Sequence, residues 1–123
     1  MTGLTIQRVY GGDFPDGSRR VLVDRVWPRG VTKASLGLEL WAKEVAPSPA
    51  LRKWFNHDPA RWLEFRRRYR AELRHGPARE SLKQLEQLAS HGSLVLLYGA
   101  KDTEHNQAVV LLERLGELVG KEH

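Results

Sequence analysis

The chain reads as one α/β domain with a small, mainly parallel sheet flanked by helices. Three observations predict this. The runs VLV (Val21 to Val23) and LVLLY (Leu94 to Tyr98) are apolar without alternation, as in strands covered on both faces. Three helix starts lie between them, at Ser48-Pro49, Asp58-Pro59 and Gly76-Pro77, each with proline at the first or second helical position. No internal repeat, low-complexity tract or linker divides residues 1–123, so a single domain is expected over the whole length.

Taken in order, Leu4 to Tyr10 (LTIQRVY) is rich in β-branched and aromatic residues and stops at Gly11-Gly12, as a strand does. The GGDFPDGS segment that follows is a cluster of turn formers and is expected to be an exposed loop. Arg20 to Asp24 is the second expected strand. Leu36, Leu38 and Leu40 alternate like a strand, whereas Trp41 onward reads as helix. Ser48 caps the helix ALRKWF, and Asp58 caps ARWLEFRRRYRAEL. The helix from Gly76-Pro77 carries the stripe Leu82, Leu85, Leu88 and Ala89, and ends at Gly92 after His91. Ser93 to Tyr98 is the third strand. Asp102 or Thr103 then caps a last helix, running to about Val119, with Ala108, Leu112, Leu115 and Val119 on one face.

Composition narrows the chemistry. At 123 residues the chain builds one core that buries roughly two-thirds of its unfolded surface. Four tryptophans, three tyrosines and three phenylalanines supply its bulk. The absence of cysteine excludes disulfides, thiolate metal sites and cysteine nucleophiles. The net charge is +5 and arginine outnumbers lysine 14 to 6. That balance permits attraction to phosphate, nucleic acid or acidic metabolites, but it argues association and solubility rather than a specific partner. The apolar runs fall far short of the ~20 residues of a membrane helix, so no membrane association is expected. The N-terminal MTGLTIQRVYGGD lacks the layout of a signal peptide, and the expected setting is cytoplasmic.

RRRYR, Arg66 to Arg70, is the most conspicuous motif. On a helical wheel Trp62, Phe65, Tyr69 and Leu73 share one sector, while the arginines scatter around the rest. Glu64, Arg68 and Glu72 are spaced to pair along the helix. A helix that grips nucleic acid concentrates uncompensated arginines on one side; this one reads as amphipathic and solvated. A nucleic-acid-binding or regulatory module using the basic Arg61 to Arg74 surface is therefore the second choice.

The strand exits are more informative, because open α/β sheets bind ligands beyond the carboxyl ends of their strands. VLVDRVWPRG crowds Asp24, Arg25, Trp27 and Arg29 behind one strand. GAKDTEHNQ places Lys101, Asp102, His105 and Asn106 behind another, in what reads as the anion-favouring first turn of a helix. The expected site takes a small anionic or nucleotide-like ligand. Arg25, Trp27, Arg29, Lys101 and Asn106 are its candidate ligand-binding residues. His105, Asp24 and Asp102 are candidate proton carriers, since imidazole and carboxyl groups beside an anion suit acid–base work. Each also has a plainer role: Asp102 as a helix cap, Lys101 as a solvated charge, Asp24 as an ion-pair partner of Arg25 or Arg29, Trp27 as a packing anchor. No metal set is assigned, and neither a cofactor nor an oligomeric state is indicated. Walker, dinucleotide-fingerprint, nucleophile-elbow and His-Glu-x-x-His patterns are all missing.

The segments VLVDRVWPRGVTK, WAKEVAPSPALRKWFNHDPARWLEFRRRYRAEL and LLYGAKDTEHNQAVVL together resemble the YeaO-like branch of the domain-of-unknown-function 488 family. The resemblance runs from about Ile6 to Leu115. It implies a compact α/β fold and a cytoplasmic setting, and no established reaction. The wider family is similar in having an Asp-x-Arg-like element after one strand and an acidic Cys-His-Arg-type helix start after a late one. Here Asp24-Arg25 stands in the first element. Tyr98 to Asn106 stands in the second, without the cysteine and with Asn106 or Gln107 where a basic residue is expected. Cysteine-dependent chemistry is thus out of reach. Three classes survive: an enzyme on a small anionic substrate, a non-catalytic binder using the same pocket, and a module for nucleic acid or protein.

Overall fold

A computed structural model describes residues 3–10, 13–14 and 17–120. Strands β1 (Leu4–Arg8), β2 (Arg19–Leu22), β3 (Leu40–Trp41) and β4 (Leu94–Tyr98) form one sheet in the order β1-β4-β2-β3, every pair parallel. The helices are α1 (Lys33–Leu36), α2 (Pro49–Phe55), α3 (Trp62–Glu72), α4 (Gly76–Ser90) and α5 (Gln107–Gly120). Part of the GGDFPDGS loop lies outside the described residues.

The two apolar runs are buried for the reason their composition gave. Along β2 and its extension, Val21 and Val23 face one side and Leu22 the other. Along β4, Leu94, Leu96 and Tyr98 alternate with Val95 and Leu97 in the same way. The first side carries the main core, filled by α2, α3, α4 and α5 through Leu51, Phe55, Phe65, Tyr69, Leu85 and Leu111. The second side has a thinner cover, in which Leu36 of α1 packs with Phe14, Trp27 and Trp41 rather than with long helices. A full core side chain contributes roughly 1.5–3 kcal/mol, so the helical side dominates the stability.

Local signals explain most boundaries. Ser48 accepts from the Leu51 N–H at 3.1 Å, with Pro49 opening α2. Asp58 accepts from the Ala60 N–H, and a 3-10 turn over Pro59–Arg61 leads into α3. The ambiguous stretch resolves as α1, then β3, then a 3-10 turn over Lys43–Val45; Trp41 is strand rather than the start of a helix. The last helix also departs from expectation, because it opens at Gln107 and not at Asp102 or Thr103. The Asp102 carboxylate accepts from the N–H groups of Glu104 and His105, both at 2.9 Å. That local turn competes with helix. Asn106 takes over as cap, its Oδ1 accepting from the Val109 N–H at 3.2 Å.

Phe65 and Tyr69 on α3 and Leu73 just past its end are buried, and Trp62 packs against this core. The arginines pair around the rim: Arg67 and Arg68 with Glu64, Arg66 with Glu113, and Arg70 with Glu117.

Candidate functional site

Because all four strands run parallel, their carboxyl ends share one edge, and the segments leaving them enclose a cleft of about 950 Å³. Tyr10 follows β1, Asp24 to Pro28 follow β2, and Ala46 and Pro47 follow β3. Gly99 to Asp102 and His105 to Gln107 follow β4. One wall comes from α2. Pro49, Arg52, Lys53 and, just past its end, Asn56 line the cleft at the i, i+3, i+4, i+7 spacing of one helical face, while Leu51 turns to the core and Phe55 packs in the core and borders the cleft floor. Asn56 and His57 both take left-handed backbone conformations (φ 48° and 53°), which turn the chain along the cleft rim.

Asp24 is the pin of the arrangement. Its carboxylate accepts from the Gly99 N–H at 2.9 Å and from Gln107 Nε2 at 2.5 Å, joining the exits of β2 and β4 to the start of α5. Gly99 is required by this approach, since a Cβ there would lie 2.8 Å from Asp24 Oδ2. Burial pushes the Asp24 carboxyl up to about 6, against the opposing pull of those two donors and of the Arg52 charge.

Asp102 and His105 form a second unit, with His105 Nδ1 2.9 Å from Asp102 Oδ2. The imidazole stands edge-on to Trp62 at 5.3 Å. The N–H of Glu104, with the His105 side chain next, holds the Asp102 carboxyl below its ordinary value. The N–H groups of Glu104 and His105 are consumed by Asp102. The anion-favouring helix terminus expected at this position is therefore absent.

The expected site residues separate into distinct roles. Asp24, Arg25, Trp27, Lys101, Asp102, His105 and Asn106 all line the cleft, whereas Arg29 is exposed and outside its lining. Arg29 meets the region through its backbone, its carbonyl accepting from Tyr10 Oη at 2.9 Å. Arg25 donates to the carbonyls of Pro47 and Ala46, at 3.3 and 3.1 Å, and so clamps the loop before α2. Trp27 donates through its indole N–H to the Val31 carbonyl and packs edge-on to Trp41 at 5.2 Å. Asn106 is buried and spends its amide on the Asp102 carbonyl and the Val109 N–H.

A family model described as the inactive DUF488-N3 subclade matches residues 3–123. The chain belongs to this subclade. Uncharacterized protein YeaO of Escherichia coli K12 is 41% identical over 112 residues, which cover 91% of this chain and 96% of that protein. Uncharacterized protein Rv3073c of Mycobacterium tuberculosis is 37% identical over 114 residues, covering 93% and 94%. No solved structure matches. This DUF488-N3 member has no helix among the described residues long and apolar enough to cross a membrane.

Arg52 and Lys53 are the cleft residues that reading the strand exits missed. Two charges on a short helix read as solvated surface. The signal that finds them is the Pro49, Arg52, Lys53, Asn56 stripe on the side of α2 away from Leu51. With Arg25 and Lys101 they give the cleft four permanent cations against the carboxylates of Asp24 and Asp102.

Proposed function

We propose that the cleft binds a small anionic ligand and holds it without transforming it. One observation carries the reading: Arg52, Lys53 and Lys101 line a single concavity, and among the described residues none is hydrogen-bonded or ion-paired to their side chains. Arg52 acts on Asp24 through its charge without closing an ion pair, and cations not held in close ion pairs attract an anion more strongly than cations already paired. Arg25 is committed to the loop carbonyls and shapes the wall instead. Against chemistry, no serine, threonine or cysteine is among the described lining residues, and the subclade is described as inactive. A second reading, acid–base work on the bound anion, draws on the Asp102–His105 contact and on the raised Asp24 carboxyl. The nucleic-acid reading draws on the Arg61 to Arg74 surface, but there Arg66, Arg67, Arg68 and Arg70 already face carboxylates.

The test is thermal unfolding in rising inorganic phosphate. A ligand that binds only the folded chain raises Tm in a saturable way. The Arg52→Gln/Lys53→Gln/Lys101→Gln variant is expected to lose that rise, and Arg66→Gln/Arg67→Gln/Arg70→Gln to keep it. The same rise in both variants would contradict the proposal. Salt-steep duplex binding that disappears only with the Arg66, Arg67 and Arg70 replacements would favour nucleic acid.

A further inference from the structure

We infer that the ligand of this cleft is a ring-bearing organic anion, of the aryl phosphate or mononucleotide type, rather than a bare inorganic ion. The inference rests on the anion-binding reading and adds the chemistry of the ligand's body.

The first observation is size. A cleft of about 950 Å³ lies at the upper end of the range for organic ligands, roughly 300–1,000 Å³, and far exceeds what a single phosphate fills. The second is an apolar surface that the fold leaves uncovered. Val26 is 62% exposed, one of two large hydrophobic residues left so open among those described, and it lines this cleft. Pro49, also exposed, lines it too, and Trp27 adds a half-buried aromatic surface. A flat apolar body lying there removes from water surface that no other part of the chain covers.

The third observation is the division of charge. Arg52 and Lys53 come from α2, beside Pro49, and Lys101 from the β4 exit. Val26 and Trp27 come from the β2 exit, whose Arg25 is tied to the loop carbonyls, so the cations left for a ligand and the Val26 and Trp27 surface reach the cleft on different segments. An anionic head with an apolar ring meets both. The Asp24 carboxylate, held between Gly99 and Gln107, adds an acceptor for a ring N–H or a hydroxyl.

Calorimetric titration with inorganic phosphate and with phenyl phosphate tests this on the full-length protein. The expected result is phenyl phosphate binding tighter by roughly tenfold or more, the scale a handful of well-buried ring atoms supplies. Val26→Ser, at an exposed position that the core does not need, is expected to cut that preference several-fold and leave inorganic phosphate affinity unchanged. Equal affinities for the two probes would overturn the inference and leave the cleft as a simple anion site. Binding of neither probe would overturn the anion-binding reading and this inference together. A preference for phenyl phosphate untouched by Val26→Ser would also overturn it, because the ring would then rest elsewhere.

Discussion

At the scale of single residues, Asp24 concentrates the tension between stability and function. Its carboxyl is raised from 3.8 to about 6 because burial outweighs the Gly99 N–H, Gln107 and Arg52. Between about pH 4 and pH 6 the folded chain retains a proton that the unfolded chain has released. Stability therefore falls as pH rises through that window, and at neutral pH the ionised group is a cost on the order of 1–3 kcal/mol. In Asp24→Asn the Asn oxygen keeps the Gly99 N–H and Gln107 turns its amide to accept from the new NH2, so Tm is expected to rise at pH 7.5, with the gain shrinking towards zero near pH 4. A constant difference from the parent protein between pH 4 and 8, followed by thermal unfolding, would contradict this. The sequence marks Asp24 as a site residue because it follows a buried strand. Its task of joining two strand exits was not legible, since its partners lie 75 and 83 residues away.

At the scale of elements, α2 sets where the unpaired cations stand. Ser48 caps it, and Glu72 at the end of α3 accepts from the Ser48 N–H at 2.9 Å and from its hydroxyl at 2.6 Å, fixing the angle at which α2 leaves the sheet. Ser48→Ala is expected to cost about 1–2 kcal/mol in urea unfolding and to weaken phosphate binding, because the wall bearing Arg52 and Lys53 loses its anchor. A loss below about 0.3 kcal/mol would mean that Pro49 alone sets the helix start. Caps of this kind were readable because Ser-Pro and Asp-Pro act within one turn. The start of α5 was not, because Asp102 and Asn106 are both good caps. The choice fell to Asn106, which is buried while Asp102 keeps its carboxylate for the turn and His105.

At the scale of the whole molecule, the parallel sheet and the charge distribution converge on one edge. The net charge of +5 belongs to the chain, but its most conspicuous arginine run is matched by Glu64, Glu113 and Glu117. Glu64 pairs within α3 and was legible from spacing; Glu113 and Glu117 reach across from α5 and were not. Arg52, Lys53 and Lys101, which have no carboxylate within ion-pair distance among the described residues, share the cleft. Parallel strands covered on both faces were readable from VLV and LVLLY, and with them the edge at which a site belongs. The thin cover over the second face was not, because Trp27 and Trp41 are drawn from loop and edge strand. The most direct measurement of the central claim is a backbone amide NMR titration with inorganic phosphate. Saturable shifts are expected at Arg52, Lys53, Gly99 and Lys101, with Arg66 to Arg70 unmoved. Shifts concentrated on Arg66 to Arg70, or no saturable shift at the cleft, would contradict it.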